Sequence, residues 1–356
     1  MASLAWNVAL LTGLLASDLS VGLRTAAQSM AGTIGSAEPS SGLVVAIYVV
    51  LLMLLHELGG LPLAFYNGFL LERRYGLSNE RLAGWAKDQL KSLVVGLFLA
   101  VGAASVVFAF IRQMPFNWWL PTGAVFAVLV AGLTNLAPVL ILPLFYRVRP
   151  IERESLRRRL FGLAERAGAR VLGAYEWGLS EKTKKANAAL AGLGSTRRIL
   201  VSDTMLAEYS DEEIEVVLAH ELAHHVHGDI WKGILFEVAL ILVGFYVSAR
   251  VLGLSAGPLG LSSPSDVAGL PVLVLVAGTV SLLMLPAALA LSRAYERRAD
   301  RFALELTRNP DAFVSAMRRL GAQNLAEEAP SMLTQWLFYS HPPLRDRIAA
   351  AQSFNE

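Results

Sequence analysis

The sequence predicts a mainly α-helical membrane protein, and three observations predict it. Of its 356 residues 54% are hydrophobic and only 17% charged, too apolar for an ordinary soluble domain. Five apolar segments of about 20 residues, 43–65, 93–111, 119–145, 231–252 and 270–291, are each long enough to cross the hydrocarbon core. Lysine and arginine concentrate in two of the regions between them and are scarce in the others.

At the N-terminus, the apolar stretch 4–16 has no Lys or Arg before it, so it reads poorly as a secretory signal and either spans the membrane or lies at its surface. The segment 119–145 is over-long, and Asn135 and Pro138 within it predict a tilt or kink. Residues 72–91 hold Arg73, Arg74, Arg81, Lys87 and Lys91, and 151–229 is similarly basic. Arg112 stands alone in one other loop, and Asp266 is the one charge between 254 and 269. The positive-inside rule therefore places both charged regions and the C-terminal tail in the cytoplasm, a topology all five spans obey.

Four parts follow: membrane helices over 1–147, a cytoplasmic part over 148–229, a transmembrane hairpin over 230–291 and a C-terminal part over 292–356. The cytoplasmic part is a small α+β domain, with a basic amphipathic helix over 152–168 and a β-rich stretch over 171–202. Ser210 then caps a new helix whose first turn is acidic through Asp211, Glu212 and Glu213, and which runs on through Val216, Val217 and His220.

No cysteine occurs, which excludes disulfides, thiolate metal sites and a cysteine nucleophile and leaves histidines and carboxylates for any metal chemistry. The net charge of +2, with both signs interspersed, gives no sign of nucleic acid as a partner. Only six histidines are present, and four fall between positions 220 and 227. His220-Glu221-Leu222-Ala223-His224 is an HExxH motif. On a helix, the i, i+4 spacing turns both imidazoles to one side at a separation that suits one zinc ion. Glu221 lies beside them, placed to take a proton from a water that such an ion activates.

A catalytic zinc needs a third protein ligand and an open position. His225 points about 100° away from His224, and His227 lies about 10 Å along the helix from His220, so neither completes the site; both read as interfacial or outer-shell residues. Glu296 is the better candidate. About 28 residues separate His224 from the end of the outgoing span and about 26 separate Glu296 from the start of the returning one, so an antiparallel hairpin brings the two level. Asp300, one turn after Glu296, either orients a ligand imidazole or pairs with Arg297 or Arg301 on the helix surface. Arg293, at the membrane edge, snorkels. His56-Glu57 repeats half the motif inside an apolar span, has Gly60 where a second His would stand, and reads as structural or chamber-lining.

Together these residues resemble the type I CAAX prenyl proteases, membrane zinc endopeptidases of the gluzincin type, over roughly 61–350. Separated blocks carry the resemblance: Leu61-Pro62-Leu63-Ala64-Phe65-Tyr66-Asn67, Leu142-Pro143-Leu144-Phe145, Asn187-Ala188 with Gly192-Leu193-Gly194, the HExxH, the block from Ser292 to Asp300, and Tyr339-Ser340-His341-Pro342-Pro343-Leu344 with Arg347. The resemblance implies a ring of about six or seven membrane helices around a water-filled chamber and a cytoplasmic gluzincin-like catalytic domain. It implies one zinc ion on His220, His224 and Glu296, with Glu221 as base. It further implies a substrate strand at Asn187 and Ala188, His341 as donor to the developing oxyanion, and a peptide or prenylated protein tail as substrate within membrane lipids.

By residue chemistry alone, Asn187 reads as a turn residue and His341, before two prolines, as a loop histidine. The stretch between Asp203 and His220 is short for the family, which implies a smaller or more open chamber, and the short chain suggests a bacterial inner-membrane protein with its zinc site on the cytoplasmic side, of open oligomeric state. Broad quality-control proteolysis of membrane proteins uses the same site and is the nearest rival. Intramembrane cleavage is disfavoured by the acidic turn over 208–215, which sets the motif near the interface. A zinc-stabilised lipid-binding chamber without activity leaves Glu221 unexplained, since a structural zinc is closed by a fourth protein ligand.

Overall fold

The computed structural model describes residues 2–34, 40–192 and 197–355. Along the chain come helices α1 (Ala2–Ala16), α2 (Leu19–Ile34) and α3 (Ser41–Phe65), a π-helical stretch (Tyr66–Leu71), α4 (Glu72–Arg74), α5 (Leu82–Gln113), α6 (Trp119–Leu140) and α7 (Leu142–Phe145). Strand β1 (Val148–Pro150), helix α8 (Glu154–Arg166) and strands β2 (Gly173–Trp177), β3 (Ala188–Ala191) and β4 (Arg198–Ser202) follow. The remainder is helical: α9 (Asp203–Glu208), α10 (Asp211–Val226), α11 (Asp229–Ser255), α12 (Leu270–Thr307), α13 (Pro310–Gln323), α14 (Met332–Phe338) and α15 (Leu344–Gln352). The chain divides into two compact units, one of residues 1–71, 82–129 and 236–283, the other of residues 72–81, 130–235 and 284–356.

Among the described residues of the chain, four helices are long and apolar enough to cross a membrane, and the pair α1 and α2, bent by 78°, brings the number to five if it is one span. The bend falls at Asp18, whose φ of 57° is left-handed. Within the first unit, α3 packs on α2 and α5 around Tyr48, Val49, Phe108 and Ile111, all buried. Ser20 Oγ lies 2.6 Å from Tyr48 Oη and donates to Ala268 O at 2.6 Å, which satisfies polar groups that lipid cannot. By contrast Phe98 is 80% and Val128 72% exposed, the outward apolar surface expected of a lipid-facing helix. The span read over 119–145 is interrupted: α6 ends at Leu140 and α7 begins at Leu142, and the side chains of Asn135 and Pro138 lie outside the described residues. α12 is continuous for 38 residues, with Pro286 inside it and Glu296 in its second half.

The second unit holds a four-stranded sheet of order β1-β2-β4-β3, with β2 and β4 parallel and both edges antiparallel. β4 is buried at Ile199, Leu200, Val201 and Ser202, as a central strand should be. In α8 the buried residues are Leu156, Leu160, Leu163 and Ala164, one helical stripe. α10 starts on a full capping box: Ser210 Oγ accepts from Glu213 N–H at 3.2 Å and Glu213 Oε2 accepts from Ser210 N–H at 2.8 Å. Ile214, Val217, Leu218 and Leu222 bury most of its circumference, which fixes α10 at the centre of this unit.

Candidate active site

His220 and His224 stand one turn apart on α10, and Glu296 reaches them from α12. Glu296 Oε2 is 3.1 Å from His220 Nε2, Oε1 is 3.4 Å from His224 Nε2, and one ligand atom from each of the three residues falls within 4.8 Å of the others. Two imidazoles and a carboxylate, held together with one side open, form the donor set of a catalytic metal centre. Glu296 Oε2 is buried and faces imidazole nitrogens, His220 Nε2 at 3.1 Å and His341 Nε2 at 3.4 Å, the setting of an acceptor aimed at a cation.

Each imidazole is held from behind. Asp300 Oδ1 lies 2.9 Å from His220 Nδ1, and Arg347 grips Asp300 with Nε to Oδ2 at 2.8 Å and Nη2 to Oδ1 at 2.5 Å. The alternative of a surface pair with Arg297 or Arg301 is not what the structure shows: Asp300 is 5% exposed and turned inward. Asp229 Oδ2 lies 3.2 Å from His224 Nδ1, with Arg298 and Lys232 on its Oδ1. Asp229 was not legible as a site residue. Its signal is Gly228, whose left-handed φ of 67° ends α10 and swings the first residue of α11 back against His224.

Burial alone would lower the pKa of His220, but hydrogen bonds to Asp300 and Glu296 push it up to about 9. His224 is raised against its own burial, first by its hydrogen bond to Glu296. The same negative field that favours a proton there favours a metal dication. Burial raises the Glu221 carboxyl above the usual range, partly offset by the two imidazoles.

A cavity of about 680 Å³ opens on this cluster, lined by His220, Glu221, Asn187, Ala188, His341 and Arg347 among others. His341 lies between α14 and α15, half exposed, with Nε2 3.4 Å from Glu296 Oε2 and Nδ1 2.8 Å from Ser340 Oγ. Arg293 does not snorkel: it is 8% exposed and donates to Gln335 O at 3.0 Å and Tyr339 O at 2.7 Å. Gln335 O also accepts from Tyr339 N–H at 3.2 Å, so Arg293 reinforces the end of α14 and holds the carbonyl of Tyr339 just before His341.

Strand β3 presents its outer edge here. Ser202 N–H donates to Asn187 O at 2.9 Å, so alternation along the antiparallel pair turns the N–H and C=O of Ala188 and Leu190 away from β4. His225 Nε2 lies 3.1 Å from Leu190 O, and burial lowers the pKa of this imidazole. His227 stacks edge-on against Phe302 at 5.5 Å and takes no part in the cluster. His56 pairs with Asn7 at 2.7 Å and Glu57 at 3.7 Å, with no second imidazole beside it. Leu193 and Gly194 of the motif block lie outside the described residues.

The family model for peptidase family M48 matches residues 150–355, and one described as CAAX prenyl protease N-terminal, five membrane helices, matches residues 1–147. An uncharacterized metalloprotease of Bacillus subtilis, YhfN, is 30% identical over 309 residues, which cover 86% of this chain and 72% of that protein. The human CAAX prenyl protease 1 homolog is 25% identical over 355 residues, 87% of this chain and 74% of that one. The crystal structure of S. mikatae Ste24p has the same fold, with a TM-score of 0.89 at 22% identity over 97% of this chain and 84% of that one.

Proposed function

The chain belongs to peptidase family M48 and is a multi-pass membrane metalloprotease, and on that premise we propose that it cleaves the tails of prenylated proteins with one zinc ion held by His220, His224 and Glu296. The convergence of those three side chains behind a cavity that His220 and Glu221 line and a strand edge borders carries the reading. The named activity of the human relative supports the substrate class.

When bound, the ion supplies Lewis acidity, which makes a water nucleophilic near neutral pH and polarises a carbonyl. Every other task falls to the chain. Ala188 offers its outward N–H and C=O to an extended peptide, which adds to β3 as a further strand, and Asn187 steadies it from the adjoining position. Glu221 takes the proton of the attacking water on its carboxylate and passes it to the departing amine nitrogen. Ser340 hydroxyl, donating to His341 Nδ1, keeps the imidazole proton on Nε2, where it hydrogen-bonds the oxyanion that develops at the scissile carbon. Asp300 and Asp229 hold the two ligand imidazoles in orientation. The reading includes six or seven spans and a cytoplasmic α+β catalytic part in a bacterial inner membrane, which the charge pattern and the Bacillus relative support.

The test compares cleavage of a farnesylated CAAX peptide with its unprenylated twin by detergent-purified, zinc-loaded protein, with Glu221→Ala as the blank. Cleavage of the farnesylated peptide that disappears in Glu221→Ala is expected. Survival of both peptides with zinc bound overturns the mechanism, whereas equal cleavage of both overturns prenyl selectivity and assigns the activity to membrane proteins at large.

A further inference from the structure

We propose that the membrane unit carries a second site, which binds the phosphate of a lipid headgroup between Arg24 and Arg112. A cavity of about 630 Å³ is lined there by Arg24 and Gln28 of α2, Ser41 at the start of α3, Arg112 in the last turn of α5, and Ser263 and Ser265 of the segment joining α11 to α12. Ser41, Arg112, Ser263 and Ser265 lie where spanning helices start or stop, the level at which a bilayer places its headgroups, and α2 brings Arg24 and Gln28 to them.

The charge in this cavity is unequal. Asp266 is its carboxylate, and its acceptor capacity is taken up by Ser262 N–H and Oγ–H at 2.9 Å each, Ala268 N–H at 3.0 Å, and an ion pair with Arg24. Arg24 keeps a buried Nε–H with no hydrogen-bond partner among the described residues. Arg112, on the same cavity, makes no ion pair or hydrogen bond among them. Two guanidiniums against one saturated carboxylate leave one net positive charge, a fork of unpaired donors, and serine hydroxyls around it. That set matches a phosphate, which accepts paired N–H groups from Arg and single bonds from hydroxyls.

Apolar surface adjoins the polar pocket. Val44, Val45 and Val267 line its wall. A phosphate attached to acyl chains covers both surfaces, whereas a free anion covers one. Arg112, at the end of α5 in a region almost bare of charge, thereby acquires a partner.

The experiment uses the full chain in detergent. Thermal unfolding and native mass spectra are recorded with dioleoylphosphatidylglycerol, with monoolein, which has no phosphate, and with inorganic phosphate. The proposal expects one retained phosphatidylglycerol, a rise in unfolding temperature that monoolein does not give, and loss of at least half that rise in Arg112→Gln, with peptide cleavage unchanged. Because Arg24→Gln alone strands Asp266 and could fail to fold, the second variant is Arg24→Gln with Asp266→Asn, in which the rise also falls. If inorganic phosphate displaces the lipid and gives an equal rise, free phosphate is the ligand and the lipid assignment is overturned. Monoolein matching phosphatidylglycerol, or Arg112→Gln keeping the full rise, overturns the site itself.

Discussion

Arg347 clasps Asp300 through two parallel hydrogen bonds, at 2.8 and 2.5 Å, and Asp300 in turn faces His220 Nδ1 at 2.9 Å. The three groups form a chain from α15 through α12 to α10, and its far end is the back of the His220 imidazole, whose other nitrogen, Nε2, faces Glu296. Arg347→Lys keeps the charge but not the fork, so Asp300 loses one of its two held positions. Zinc affinity or kcat/KM is expected to fall about 10- to 100-fold, the usual cost of removing an outer partner of a ligand imidazole. Chelator competition measures the first and peptide cleavage the second; full retention of both would show that the clasp is structural only.

Asp229 makes the matching contact to His224. Asp229→Ala leaves Arg298 and Lys232 without their shared carboxylate and His224 free to rotate. Zinc affinity should drop by about 10-fold or more, and combination with Asp300→Ala should cost more than either change alone, since the two act on different ligands. Were the double variant to bind zinc as the single ones do, only one imbidazole-orienting contact would matter.

Legibility of the site followed the reach of each signal. His220, Glu221 and His224 are a local helical pattern, and Glu296 is reachable by counting residues along two antiparallel spans. Asp229 escaped because Gly228 breaks the helical period between it and His224, after which i, i+4 reasoning no longer applies. Arg293 was misread because its acceptors, the carbonyls of Gln335 and Tyr339, lie 42 and 46 residues away and are delivered by tertiary structure. In the fold, apolar runs located the spans, yet α5 begins at Leu82, before its apolar run, because a helix continues under a polar surface where hydropathy gives no signal. The bend between α1 and α2 sits at Asp18, a non-glycine residue in the left-handed region that nothing local announces.

His225 sets how far a peptide can pair along β3. It occupies the outward carbonyl of Leu190, so a substrate strand meets open groups at Ala188 and a filled one two residues on. His225→Phe frees that carbonyl while leaving His224 in place. We expect KM to rise about 3- to 10-fold through loss of register, on the scale of one hydrogen bond, with zinc affinity unchanged. A fall in zinc affinity of equal size would instead assign His225 to the metal centre.

Glu221 must be ionised to accept a proton, and burial raises its pKa. Activity therefore rises with pH through a midpoint above the ordinary glutamate value of about 4.3. The acid limb of kcat/KM, recorded on zinc-saturated protein, locates that midpoint. A limb at the ordinary value would mean that the carboxylate is solvated in the working enzyme.

Asp203 ties the sheet to the loop after β2. Its Oδ1 accepts from the N–H groups of Leu179, Ser180 and Thr204 at 2.8, 2.9 and 2.9 Å, and Ser180 Oγ–H donates to Oδ2 at 2.5 Å. Burial opposes ionisation, but these hydrogen bonds prevail and hold the carboxyl below its usual pKa. A folded-state pKa below the unfolded one makes the carboxylate stabilising above the unfolded value of about 3.9, and that stabilisation is lost as pH falls through the folded value. Asp203→Asn should accordingly unfold at lower temperature than the parent at neutral pH, by the equivalent of about 1 kcal/mol given partial solvent exposure. The gap should begin to shrink as pH falls below about 4 and close only below the depressed folded-state pKa. A gap that stays constant into acid would show that the side chain's shape, rather than its charge, holds the loop.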